Sequence, residues 1–324
     1  MRKAIMAAIA ALGLAVVPGL AHAQAGTQPQ ASCDRSCLGA KLDNFLDAVV
    51  AKDRSRANLW AGFRQTQNAV LTAPGEGIWE SNTGIGRLDR RYFDPATGQA
   101  EFFGTVKEAE GTAIVSLRIK LHGDEIGEAE WHVARPGDPD ITGTPGKIVF
   151  DLDNLLANPP ADRTVPAAER RPRDELIAAV NSYFDGIVAG TGRHVQAHPG
   201  CLRLENGLGG PAWTGGPVGP EDADFQDKTD CRSRYAGLNI INVAARRYLM
   251  VDEEAQVVIA SAVFIREPLS PKRRNCFMEV FYMDGGKISS VYAAMVYADP
   301  ELPVPNWPPY DGNFPIAPNL IPHG

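Results

Sequence analysis

Residues 90–106 read RRYFDPATGQAEFFGTV, and residues 246–263 read RRYLMVDEEAQVVIASAV. Both begin Arg-Arg-Tyr, cross an acidic turn to a glutamine and leave as an apolar strand. The likeness extends outward in both directions. KLDNFLDAVVAKD (41–53) and ELIAAVNSYFDGIVAG (175–190) are amphipathic helix patterns in which Leu42, Phe45 and Val49 match Val180, Tyr183 and Ile187 at a constant offset. FRQTQN (63–68) and CLRLEN (201–206) each read as a short strand after a loop. Each half then closes with a long hairpin, turning at His122-Gly123-Asp124-Glu125 and at Asp284-Gly285-Gly286-Lys287. One unit of helix, short strand and long antiparallel strands is thus written twice. The implied architecture is α+β: two tandem domains, each a curved antiparallel sheet wrapped over helices.

The organisation follows. Residues 1–23 read as a signal peptide, with Arg2 and Lys3 before a short apolar run and Ala21-His22-Ala23 as the cleavage site. Cleavage near Ala23 places the mature chain in the periplasm or outside the cell. The run at 5–17 is too short for a stable membrane anchor. The first domain is assigned to 33–150, a Pro-rich charged linker to 151–173 and the second domain to 174–298. A Pro-rich tail, 299–324, is expected to lie along the surface because Trp307, Tyr310, Phe314 and Ile316 are too apolar for a solvated end.

Export permits disulfides. Of the five cysteines, Cys33 with Cys37 and Cys201 with Cys231 are the expected pairs, which leaves Cys276 as a buried free thiol at the start of an apolar strand. The chain has 324 residues, a formal net charge of -7 and scattered Lys and Arg, so no nucleic-acid surface is expected.

The element order, the ENG tripeptide at 205–207, the paired hairpins and the export signal resemble the SnoaL-like, ketosteroid-isomerase-like cone fold. More closely they resemble secreted tandem SnoaL-like proteins of largely unknown function, over most of residues 34–298. The resemblance implies a pocket between the concave face of each sheet and its helix. It also implies a general base on the short strand, where Glu205 and Asn206 stand; an asparagine cannot serve, which sets steroid-isomerase chemistry in question.

Strand alternation compares the two copies face by face. In the first, Val115, Leu117, Ile119 and Leu121 face inward, whereas Ser116, Arg118, Lys120, Glu128, Glu130 and His132 form an outer face expected to be wet. In the second, the outer face is Cys276, Met278, Val280, Tyr282, Ser290, Tyr292, Ala294 and Val296. Such a face needs cover: a second copy in a homodimer, the first domain or the tail. The inner face carries Glu279 in the register of Leu117. That carboxylate is either paired with an arginine such as Arg203 or Arg246, or a general acid or base with a pKa raised by burial.

The catalytic candidates are therefore Glu279 and Glu205 for proton movement, Tyr183 as a phenol donor to an oxyanion, and His198 as a proton carrier at the pocket rim. Phe277, Phe281, Met295 and Trp213 are the expected substrate-binding residues. Trp79 and Trp213 either gate the pocket mouths or pack on the surface. His194 and His198 stand four apart in a Gly/Pro-containing loop, so no metal pair is expected. With no phosphate loop, G-x-S-x-G, Rossmann fingerprint or H-E-x-x-H, no cofactor is expected either. The leading expectation is cofactor-independent isomerase-, cyclase- or lyase-type proton transfer on a small apolar or aromatic molecule in the second domain. The alternative is a non-catalytic exported protein binding a lipophilic small molecule or a protein partner.

Overall fold

The computed structural model describes residues 33–209, 230–266 and 270–298. The segment read as a signal peptide, Trp213 and the C-terminal tail lie outside them.

Each copy starts with a helix. In α1, Arg35–Ala51, the Asp34 carboxylate caps the first turn by accepting from Cys37 N at 2.9 Å, and the Cys33–Cys37 disulfide clips the same turn. Its counterpart α4, Arg173–Ala189, follows Pro172 and stops at Gly190, whose left-handed φ of 67° ends the helix. Leu38, Leu42, Phe45 and Val49 bury one face of α1; Leu176, Val180, Tyr183 and Ile187 bury the matching face of α4.

Each helix lies against a six-stranded sheet. The first has β1 Leu59–Gln67, β2 Val70–Leu71, β3 Asn82–Asp94, β4 Gln99–Glu108, β5 Gly111–His122 and β6 Glu125–Ala134, with a one-turn helix α2, Ile78–Ser81, before β3. The second has β7 Ala197–Glu205, β8 Leu208–Gly209, β9 Ile240–Asp252, β10 Val257–Arg266, β11 Asn275–Asp284 and β12 Lys287–Tyr297. The orders, β2-β1-β6-β5-β4-β3 and β8-β7-β12-β11-β10-β9, are identical in plan. One neighbour pair in each sheet is parallel, β1 with β6 and β7 with β12, so the sheets are mixed rather than wholly antiparallel. The expected α+β plan of two sheet-over-helix cones is the observed one.

Asn68 and Asn206 show why an asparagine follows the short strand in both copies. Both sit at positive φ, 51° and 48°, where asparagine is better tolerated than most residues. Asn206 exchanges two hydrogen bonds with the backbone of Met295, at 2.6 and 2.8 Å, and Asn68 does the same with Val133 at 3.1 and 2.8 Å. The side chain stands in for a ladder residue and locks the short strand to the last one. Gly207 must follow: its φ is 81°, and a Cβ there would stand 1.9 Å from the Asp151 carbonyl. That contact docks α3, Leu152–Ala157, inside the stretch read as a linker.

The convex faces of the two sheets pack on each other. Leu88, Tyr92, Phe103 and Ile114 of the first sheet join Met278, Val280, Tyr282 and Tyr292 of the second in one buried cluster. The contacts are reciprocal. Arg35 on α1 reaches Asp252 at 2.7 Å, and Arg173 on α4 reaches Asp94 at 2.6 Å. Phe93 N donates to Asp252 and Val251 N donates to Asp94, at 2.9 and 3.0 Å. This is the pattern of an isologous dimer, realised within one chain.

This arrangement resolves one expectation and corrects another. The apolar outer face of the second sheet, for which a second copy, the first domain or the tail was open as cover, is covered by the first sheet. The outer face of the first sheet is not wet over its middle: Ser116, Arg118, Glu130 and His132 are each 2% exposed or less, whereas Lys120 and Glu128 keep side-chain exposures of 39% and 27%. Burial is tolerated because the charges answer one another. Arg247 from β9 donates to both Glu130 oxygens at 2.8 Å. Arg118 donates to Glu130 at 3.1 Å, Glu128 at 2.8 Å and Gln99 at 2.8 Å.

Candidate active site in the second cone

Glu279 stands at the middle of β11, opposite Ala293 on β12 and Ala260 on β10. The same register in the first sheet holds Leu117, opposite Trp131 and Phe102. The neighbours decide the interior. Trp131, Phe102, Trp79 and Phe45 pack the first cone, and all four are fully buried. Two alanines flank the carboxylate in the second, and a cavity of about 260 Å³ remains there. Trp79 gates nothing: its Nε1 donates to Gln65 at 2.8 Å and its ring stands edge-on to Phe45.

Three of the expected groups, Glu279, Glu205 and Tyr183, line this cavity together with Arg203. Alternation along β7 puts Arg203 and Glu205 on one face, two residues apart. Arg203 Nε lies 3.6 Å from Glu205 Oε1, and its Nη1 donates to the Tyr183 hydroxyl and the Cys231 carbonyl, each at 3.5 Å. The Cys201–Cys231 disulfide fixes that carbonyl relative to β7. Glu205 is thus paired with the arginine weighed as a partner for Glu279.

Glu279 is not. It is 4% exposed, and its Oε2 has no hydrogen-bond partner among the described residues. Burial pushes its pKa up to about 8. The nearby Glu205 charge adds to the shift, and Arg203 opposes it. Arg246, the other arginine weighed as a partner, turns instead to Asn181 and Asp185, at 2.7 and 2.6 Å.

Burial raises the Tyr183 pKa as well, with Glu279 adding to the effect, so this phenol stays a proton donor at neutral pH. Tyr235 stands edge-on to Tyr183, 5.7 Å between ring centroids, under the Arg203 guanidinium. Its hydroxyl is buried without a partner among the described residues, and burial raises its pKa well above the ordinary value. Sequence reading missed Tyr235; its one signal is its position four residues after the bridged Cys231.

Other expectations are corrected. His198 is not at the pocket rim. It lies near the start of β7, where its Nε2 meets the Asp284 carbonyl at 2.9 Å beside the β11–β12 turn, at the far end of the strand from Glu205. Phe277, Phe281 and Met295 do not line the cavity but fill the core around it. Phe281 packs on Tyr183 at 5.2 Å, and Phe277 packs on Phe264, which does line it. The inward face of β11 is longer than the cavity, so alternation alone admits residues that helix α4 covers. Cys276 is the free, buried thiol expected. It faces His132 of the other sheet at 3.7 Å, and burial raises its pKa.

Among known proteins, residues 169–295 match the model of a family described as a domain of unknown function (DUF8021). No curated protein matches the chain. The similar solved structures include these three. An NTF2-like protein of unknown function from Cytophaga hutchinsonii is 11% identical; the match covers 31% of this chain and 90% of that one, with a TM-score of 0.26. A protein from Sphaerobacter thermophilus is 13% identical over 32% of this chain and 98% of that one, with a TM-score of 0.26. A protein of unknown function with a cystatin-like fold, from Methylobium petroleophilum, is 14% identical over 44% of this chain and 99% of that one, with a TM-score of 0.29.

Proposed function

We propose that the second cone is an acid–base site, in which Glu279 moves a proton on a small molecule of largely apolar character. The observation that carries this reading is the buried Glu279 carboxyl, which lines a cavity and has no hydrogen-bond partner at Oε2 among the described residues. A structural carboxylate would be closed off by an arginine; Arg203, whose charge is felt at Glu279, makes its contacts with Glu205 and Tyr183 instead. A pKa of about 8 lets Glu279 give a proton at neutral pH and take one slightly above it, which suits general acid–base work. Tyr183 and Arg203 supply a donor and a positive charge for an oxyanion developing on the substrate. Isomerisation, cyclisation, dehydration and lyase-type elimination all need that pair of roles. The first cone, packed with Trp131 and Phe102, serves as the supporting partner.

The test uses the mature protein and Glu279→Gln, each incubated with a metabolite extract of the source cells and followed by untargeted mass spectrometry. A compound consumed by the parent should be consumed about 10²–10⁴-fold more slowly by the variant. If nothing is consumed and both proteins retain the same compound through dialysis, the site is a binding pocket for that compound and the acid–base reading falls.

A further inference from the structure

The cavity has a second chemical end. Arg266, at the end of β10, Lys272, before β11, and Asn275, at its start, line the same cavity as Glu279. Arg266 donates to the Arg273 carbonyl at 3.0 Å and to the Asn275 carboxamide oxygen at 2.8 Å. Its Nε is buried with no partner among the described residues. The Lys272 ammonium makes no ion pair among the described residues; only its backbone N–H is engaged, by Ser270. The charges around the cavity do not cancel. Glu205 is answered by Arg203, and Glu279 holds its proton up to about pH 8, so among the described residues Arg266 and Lys272 stand without a counter-charge at neutral pH. Leu238, Ile240 and Phe264 supply an apolar wall. Asn275 and Glu279 share one face of β11, roughly 13 Å of strand apart.

From this layout we infer that the ligand is a small organic acid: its carboxylate binds Lys272 and Arg266, and its apolar body lies along Phe264 and Ile240 toward Glu279. A cavity of about 260 Å³ takes a molecule of roughly ten non-hydrogen atoms. What happens at the Glu279 end rests on the acid–base reading above; the choice of an acid over a neutral molecule does not.

Calorimetric titration with cinnamate and octanoate, each beside its primary amide, tests the inference. The acids should bind at least about tenfold more tightly than the amides, the effect of one charge-assisted contact. Lys272→Met, a substitution of a partly exposed side chain outside the strands, should remove most of that preference while the thermal melt stays unchanged. Arg266→Gln should weaken the acids in the same direction. Equal affinity of acid and amide, tighter binding of the amides, or failure of both acids to bind overturns the inference. Binding is read without turnover, so the two proposals fail separately. A carboxylate preference in a protein that transforms nothing removes the acid–base reading alone. Turnover of a neutral compound, with no carboxylate preference, removes the organic-acid inference alone.

Discussion

Glu279 ties its stability effect to its proton. In the unfolded chain it titrates near 4.5; in the fold it holds the proton to about 8. Between those values the folded protein binds more protons than the unfolded one. Stability therefore falls as pH rises through that window, and the loss is complete above about pH 8. Glu279→Gln carries no such titration. Urea melts at pH 5 and pH 9 should show the variant gaining about 2–4 kcal/mol on the parent between the two, and a constant difference would contradict the raised pKa. The register that puts Glu279 inside was legible in the sequence, because a period of two and a fixed hairpin turn leave little freedom. So was the change from Phe45 to Tyr183 at a constant helical offset. The far position of His198 was not legible: spacing does not say which end of a strand meets the cavity.

At the scale of elements, the two cones differ by what faces the central strand. Trp131 and Ala293 occupy equivalent registers on β6 and β12. Ala293→Leu should therefore crowd Glu279 in the second cone, at a cost of about 1–3 kcal/mol from overpacking, and weaken ligand binding and turnover together. Trp131→Ala in the first cone should cost more, about 3–5 kcal/mol, because it leaves a void in a packed core, and it should leave binding in the second cone intact. Denaturant melts paired with ligand titration separate the two outcomes. Loss of binding in Trp131→Ala, at a temperature where it is folded, would show the cones to be coupled. The alternation patterns contained this difference, since alanines opposite a buried acid imply space. The size of that space depended on how α4 lies against the sheet, and helix periodicity does not encode it.

Across the whole molecule, the tandem repeat is a dimer made covalent, with its two faces specialised. The face of the second sheet is apolar; the face of the first carries Arg118 and Glu130, buried because Glu130 pairs with both Arg118 and Arg247. Two copies of the second sheet would leave Arg247 without Glu130, and two copies of the first would leave Glu130 without Arg247. Arg247→Met should cost about 3–5 kcal/mol by leaving Glu130 buried beside less compensation, and Glu130→Gln in the same chain should recover part of it. Additive losses in that cycle would contradict a coupled network. The sequence displayed this polar face as solvated because its partner lies on β9, more than a hundred residues away, and alternation reports sidedness rather than cover. The account as a whole stands on one carboxyl held protonated inside the second cone. Carbon-13 NMR of glutamate side-chain carboxyls, assigned with Glu279→Gln, measures that directly. One resonance titrating near pH 8 and absent from the variant is the expected result; a Glu279 resonance titrating below about 5, within the ordinary range, would contradict it.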